Sequence, residues 1–135
     1  PKRVAVPSVV APTLDDISRL AEEAHTSLPP ELRKFADDVI IKVEDFPSDE
    51  IIEEMELETP FDILGLYQGV DLPRRSILDI GRLPDMVFLY RRPILDYWCD
   101  SGERLPDIVK HVLIHEIGHH FGFSDEDMER LEGED

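Results

Sequence analysis

Leu14, Ile17, Ala21, Ala24 and Leu28 recur at helical spacing, and Thr13 with Asp16 three residues later forms a capping box at their start. The pattern predicts a first helix that ends before Pro29 and Pro30. Val39, Ile41 and Val43 then alternate with Ile40, Lys42 and Glu44, the period of a short strand. Ser48 is placed to open a brief acidic helix, and residues 63–70 and 86–91 read as two further strands. Between these strands, Asp71 to Asp85 carries Pro73, Arg74, Arg75, Gly81 and Pro84, the composition of a long loop. Pro106 and Asp107 suit the first turn of a helix running to Phe121. Ile108, Val109, Val112, Leu113, Ile114 and Ile117 lie all round that helix, so it should be largely buried. Gly118 in its interior costs about 1 kcal/mol relative to alanine, which a close approach by the sheet would explain.

No repeat, low-complexity tract or linker divides the chain, so one α+β domain over residues 1–135 is expected. A domain of that size can bury roughly two thirds of its unfolded surface. The sequence has no apolar stretch long enough to span a bilayer, and Pro1 to Pro12 lacks the pattern of a secretory signal; a cytoplasmic location without membrane association is the default. A single cysteine, Cys99, forms no internal disulfide, in keeping with a reducing compartment, and is expected to pack beside Trp98.

Charge narrows the function further. Fourteen basic residues against thirty-one acidic ones give a formal charge of −17, which repels phosphate backbones and disfavours both nucleic-acid binding and nuclease chemistry. Eight of the acids lie between Glu44 and Glu58, a solvated loop and short helix on the ordinary reading, or a docking surface for a basic partner or a substrate with basic residues.

The chemistry concentrates in His115-Glu116-Ile117-Gly118-His119-His120-Phe121-Gly122-Phe123-Ser124-Asp125. Residues four apart on a helix stack with Cβ atoms roughly 6 Å apart, so His115 and His119 can direct imidazoles at one metal ion. Glu116, one step round, can take a proton from a metal-bound water and return it to a leaving amine. A catalytic zinc wants a third protein ligand. Glycine at Gly122 would end the helix in the left-handed conformation, folding the chain back and bringing Asp125 within reach. Ser124 with Asp127 reads equally as a helix start that needs no metal. His111 shares the face of both histidines but lies about 12 Å along the axis from His119, too far for one ion to join both. His120, four residues after Glu116, either orients that carboxylate, steadies an oxyanion or is an exposed helix histidine. Met128 either lies under the metal or fills the core.

Together with Leu64-Gly65-Leu66-Tyr67-Gln68-Gly69-Val70 and Pro84-Asp85-Met86-Val87-Phe88-Leu89-Tyr90-Arg91-Arg92-Pro93-Ile94-Leu95, this run resembles the zincin metallopeptidases, in particular the small bacterial proteins described as minimal zincins. The resemblance covers about residues 60–128. It implies an α+β fold with the active helix on a small sheet, His115, His119 and Asp125 as ligands of one Zn²⁺ per chain, and Glu116 as catalytic acid/base. Only ten residues follow Asp125, so the C-terminal subdomain of larger metzincins has no counterpart and the primed side of a cleft would be almost wall-less. The expected reaction is peptide-bond hydrolysis on a restricted peptide or protein substrate, with an extended peptide adding to a sheet edge near Tyr67 or Tyr90. An aspartate in place of a third histidine should leave the bound water less acidic, and two imidazoles with a carboxylate also suit non-haem iron, although Glu116 favours hydrolysis. The contrasting possibility is a metal-stabilised binding or regulatory domain whose acidic surface recruits a partner.

Overall fold

The computed structural model describes residues 10–69 and 85–133. Helix α1 (Leu14–Thr26) begins as its sequence dictates, with both halves of the Thr13–Asp16 capping box formed. Its stripe buries Ile17, Ala21 and Ala24, and Leu28 beyond its end, but Leu14 is exposed because it lies in the first turn, clear of the core. A short helix not evident from the pattern follows, α2 (Pro30–Ala36), which uses Pro30 at its first position, where a missing N–H costs nothing. Strand β1 (Ile40–Glu44) leads to the acidic helix α3 (Asp49–Glu54), capped by the Ser48 hydroxyl accepting from Ile51 N–H. Strands β2 (Gly65–Gln68) and β3 (Met86–Tyr90) occupy the expected places. The loop expected over Asp71 to Asp85 lies, apart from Asp85, outside the described residues.

The sheet has the order β1-β3-β2, with β1 parallel and β2 antiparallel to β3. Tyr90 is therefore on the central strand and buried, whereas Tyr67 is on an edge strand of the sheet formed by the described residues. Helix α4 (Arg91–Ser101) follows β3 directly, and Gly102 ends it at φ +69°. Trp98 is partly buried against the core, while its neighbour Cys99 points to the exposed side, so the packing expected of the thiol does not occur.

Helix α5 (Leu105–His120) is the axis of the molecule: it packs on α1, α2, α4, the sheet and the last helix, α6 (Asp125–Glu132). Ile108, Val109, Leu113, Ile114 and Ile117 of α5 are buried with Ile17, Leu32, Val87 and Leu89, and no polar or charged residue is buried among the described residues. Each such aliphatic side chain contributes roughly 1.5–3 kcal/mol. Gly118 is explained by a helix and not by the sheet: a Cβ there would collide with the sulfur of Met128, fully buried on α6. Met128 is thus a core residue that locks α6 onto α5.

Candidate metal centre

The end of α5 is built as a Schellman turn. Gly122 stands at φ +86°, Phe123 N–H bonds the Gly118 carbonyl at 2.8 Å, and Gly122 N–H bonds that of His119 at 3.2 Å. The chain reverses, and the Ser124–Asp127 capping box starts α6 at once, which puts Asp125 in its first turn. The helix-start reading of Ser124 and the proximity of Asp125 to the histidines are therefore two aspects of one turn.

His115, His119 and Asp125 each present a potential ligand atom, all within 4.8 Å of one another. His119 Nε2 lies 3.2 Å from Asp125 Oδ1. A tetrahedral zinc with bonds of about 2.0–2.1 Å holds its ligand atoms roughly 3.3 Å apart, so the pair is already at ligand spacing, with a His115 nitrogen within 4.8 Å of both. Two imidazoles and a carboxylate fit a zinc ion in donor type as well as spacing. Burial, followed by the neighbouring His111, lowers the pKa of His115, which keeps this imidazole neutral with a lone pair to give.

Glu116, beside the histidines, is turned toward β2. Its Oε1 accepts a hydrogen bond from the Tyr67 backbone N–H on β2 at 3.2 Å. Burial raises its pKa, against the opposing effects of the Tyr67 bond and of His119. A carboxylate made easier to protonate yet held by one donor suits proton transfer in both directions.

The glycines of the Leu64–Val70 segment account for that contact. A Cβ on Gly65 would stand 2.8 Å from Val112 Cγ1 and 2.9 Å from the Phe88 carbonyl, so only glycine lets β2 approach α5 this closely. Tyr67 is fixed at both ends: its ring stacks on His120 with centroids 3.8 Å apart, and its hydroxyl donates to Asp85 at 2.7 Å. A Cβ on Gly69 would meet the His120 ring at 2.8 Å. His120 is exposed on this stack and meets Tyr67, with no hydrogen bond to Glu116 among the described residues. An open cleft of about 220 Å³ runs between β2 and α5, with Ile63, Leu64, Gly65 and Val112 as walls and His115 and Glu116 at one end.

Of the residues named from the sequence, His115, His119 and Asp125 come together at the end of α5 with Glu116 beside them, and two neighbours were not foreseen. The Tyr67 N–H belongs to the backbone of an edge strand and has no residue signature. Glu132, at the far end of α6, meets His111 and His115 in a second group of potential ligand atoms within 4.8 Å of one another. The spacing of His111 and His115 was visible, but not the path of α6.

The small sheet, the helix bearing H-E-x-x-H and the returning acid make an α+β unit with a candidate metal site at the end of α5. The family model described as zincin-like metallopeptidase matches residues 36–134, and the chain belongs to that family. No curated protein matches it. The match begins at the end of α2 and takes in the whole sheet, α5 and α6.

Proposed function

We propose that the protein is a zinc-dependent peptidase in which His115, His119 and Asp125 hold the metal and Glu116 is the general base and acid. The observation that carries this reading is the convergence of three zinc-type ligand atoms beside a partly buried glutamate tethered to an edge strand. When bound, zinc supplies the Lewis acidity that polarises a carbonyl and acidifies water. The protein's own contribution is positional. His119 and Asp125 come together through the Gly122 turn, His115 is kept neutral by burial, and Glu116 is raised toward the pH range in which it can accept a proton and give it to a departing amine.

An extended peptide is the substrate form that suits the site. Among the described residues β2 is paired with β3 on one side only, which leaves its other edge to accept a strand, and Tyr67 on that edge already directs its N–H toward Glu116. The small, open cleft favours a selected substrate over general digestion, and unrelated denatured proteins should be cut poorly. The charge of −17 argues for a neutral or basic peptide over a nucleic acid.

Replacing Glu116 by glutamine tests the proposal directly. The amide keeps an oxygen for the Tyr67 N–H but cannot take up the proton, so cleavage should fall by about two to four orders of magnitude while metal content and melting temperature stay close to the parent's. Cleavage at the parental rate would refute the role of Glu116. The alternative, a metal-stabilised binding domain, draws on the exposed acids Asp49, Glu50, Glu53 and Glu54 of α3. In that case no peptide would be cleaved, and neutralising those four acids would abolish partner capture.

A further inference from the structure

Helix α5 carries a ladder of histidines one turn apart, His111, His115 and His119, and α6 runs back beside it with a carboxylate near each end. Asp125, the first residue of α6, stands at His119; Glu132, the last, stands at His111. The arrangement repeats itself. His115, His119 and Asp125 form one set of converging ligand atoms, and His111, His115 and Glu132 form another with the same donor chemistry, two imidazoles and a carboxylate.

The second set has features of its own. Glu132 Oε1 is itself shielded from solvent, although the side chain is 25% exposed, and it lies 2.7 Å from His111 Nδ1 in an ion-pair contact that lacks hydrogen-bond geometry. A shielded carboxylate oxygen beside an imidazole nitrogen is a pair of donors suited to a cation. The His111 and His115 rings lie 4.1 Å apart, closer than the 5.6 Å between His115 and His119. A cleft of about 280 Å³, walled by Glu103, Asp107, Lys110, His111 and Glu132, gives an ion access, and its carboxylates make the approach attractive to a cation.

We propose that His111, His115 and Glu132 form a second binding site for a zinc-type divalent cation, in competition with the His115–His119–Asp125 site for His115. A neutral imidazole has one lone pair, so His115 serves one ion at a time. The two positions lie about 6 Å apart, four residues at 1.5 Å each, so no single ion uses all three histidines. An ion in the second position leaves His119 and Asp125 with only each other. The ladder is thus a selector between two metal positions, one beside Asp125 and one remote from it.

Cobalt(II), a spectroscopic stand-in for zinc, tests this without reference to activity. The metal-free His119→Ala/Asp125→Ala variant is titrated with Co²⁺ while visible d–d absorption and stoichiometry are followed, with far-UV circular dichroism as the fold control. Saturable binding of one ion per chain is expected, weakened by at least about tenfold on adding His111→Ala or Glu132→Gln. No saturable binding, or binding indifferent to both additions, would overturn the second site. If the double variant does not fold, the single His119→Ala variant, which leaves the start of α6 intact, gives the same reading. The inference leans on the catalytic reading only through His115, and the two fail separately. The complementary His111→Ala/Glu132→Gln variant reports on the first site alone.

Discussion

The two flanks of α5 divide the work of the molecule. Toward α1 and the centre of the sheet the helix presents Val109, Leu113, Ile114 and Ile117, all buried. On its other side it presents His111, Glu116 and His119 to solvent, the edge strand and α6. Apolar packing is concentrated on one flank and the candidate site on the other. A helix so thoroughly held can carry a histidine ladder and a half-buried carboxylate, features that would contribute little to folding on their own.

Substitution on the apolar flank should cost folding and spare chemistry. Ile114→Ala removes a fully buried side chain from the centre of the core and should lower stability by about 2–5 kcal/mol, read from urea denaturation, with metal stoichiometry unchanged at temperatures where the variant is folded. Loss of metal binding by the folded variant would show that the flanks are not separable.

Gly65→Ala attacks the seam between them. The added methyl meets Val112 and the backbone carbonyl of Phe88, so β2 must move off α5 at a cost of about 1–3 kcal/mol. Because β2 carries the Tyr67 N–H bonded to Glu116, cleavage should decline more than stability alone explains, with metal content preserved. A destabilised variant with full activity per folded molecule would remove Tyr67 from the account.

A slower dependence links the flanks electrostatically. Tyr90 is buried on the central strand, and burial, then Glu44 and Glu116, push its pKa from an ordinary 10 up to about 12. The unfolded chain ionises first. Stability from this group is therefore complete below pH ~10 and is lost as pH rises toward ~12. Tyr90→Phe should flatten that alkaline limb in denaturation midpoints; an unchanged limb would mean another group is responsible.

Much of this was legible in the sequence, and the misses have physical causes. The capping box at Thr13, the strand pattern through Val43 and the chain reversal at Gly122 depend on neighbours in sequence, and the structure has all of them. Helix α4 was hidden by Arg91-Arg92-Pro93, which looks like a stop; yet Pro93 sits in the first turn, where its absent N–H breaks no bond. The partner of Gly118 was misassigned because glycine signals only close approach, not what approaches. Cys99 was assigned to the interior by its type, but the phase of α4 turns it outward. Asp125 could be inferred from a turn, whereas Glu132 depends on how α6 packs along α5.

The central claim is the ligand role of Asp125, and it is tested most directly by zinc content in a protein whose second position has been disabled. Elemental analysis should compare His111→Ala with His111→Ala/Asp125→Ala, both purified without a histidine tag and reconstituted with zinc. We expect about one zinc per chain in the first and a marked loss in the second. Equal zinc in both would mean that the third ligand is not Asp125, and none in the first would contradict the metal centre itself.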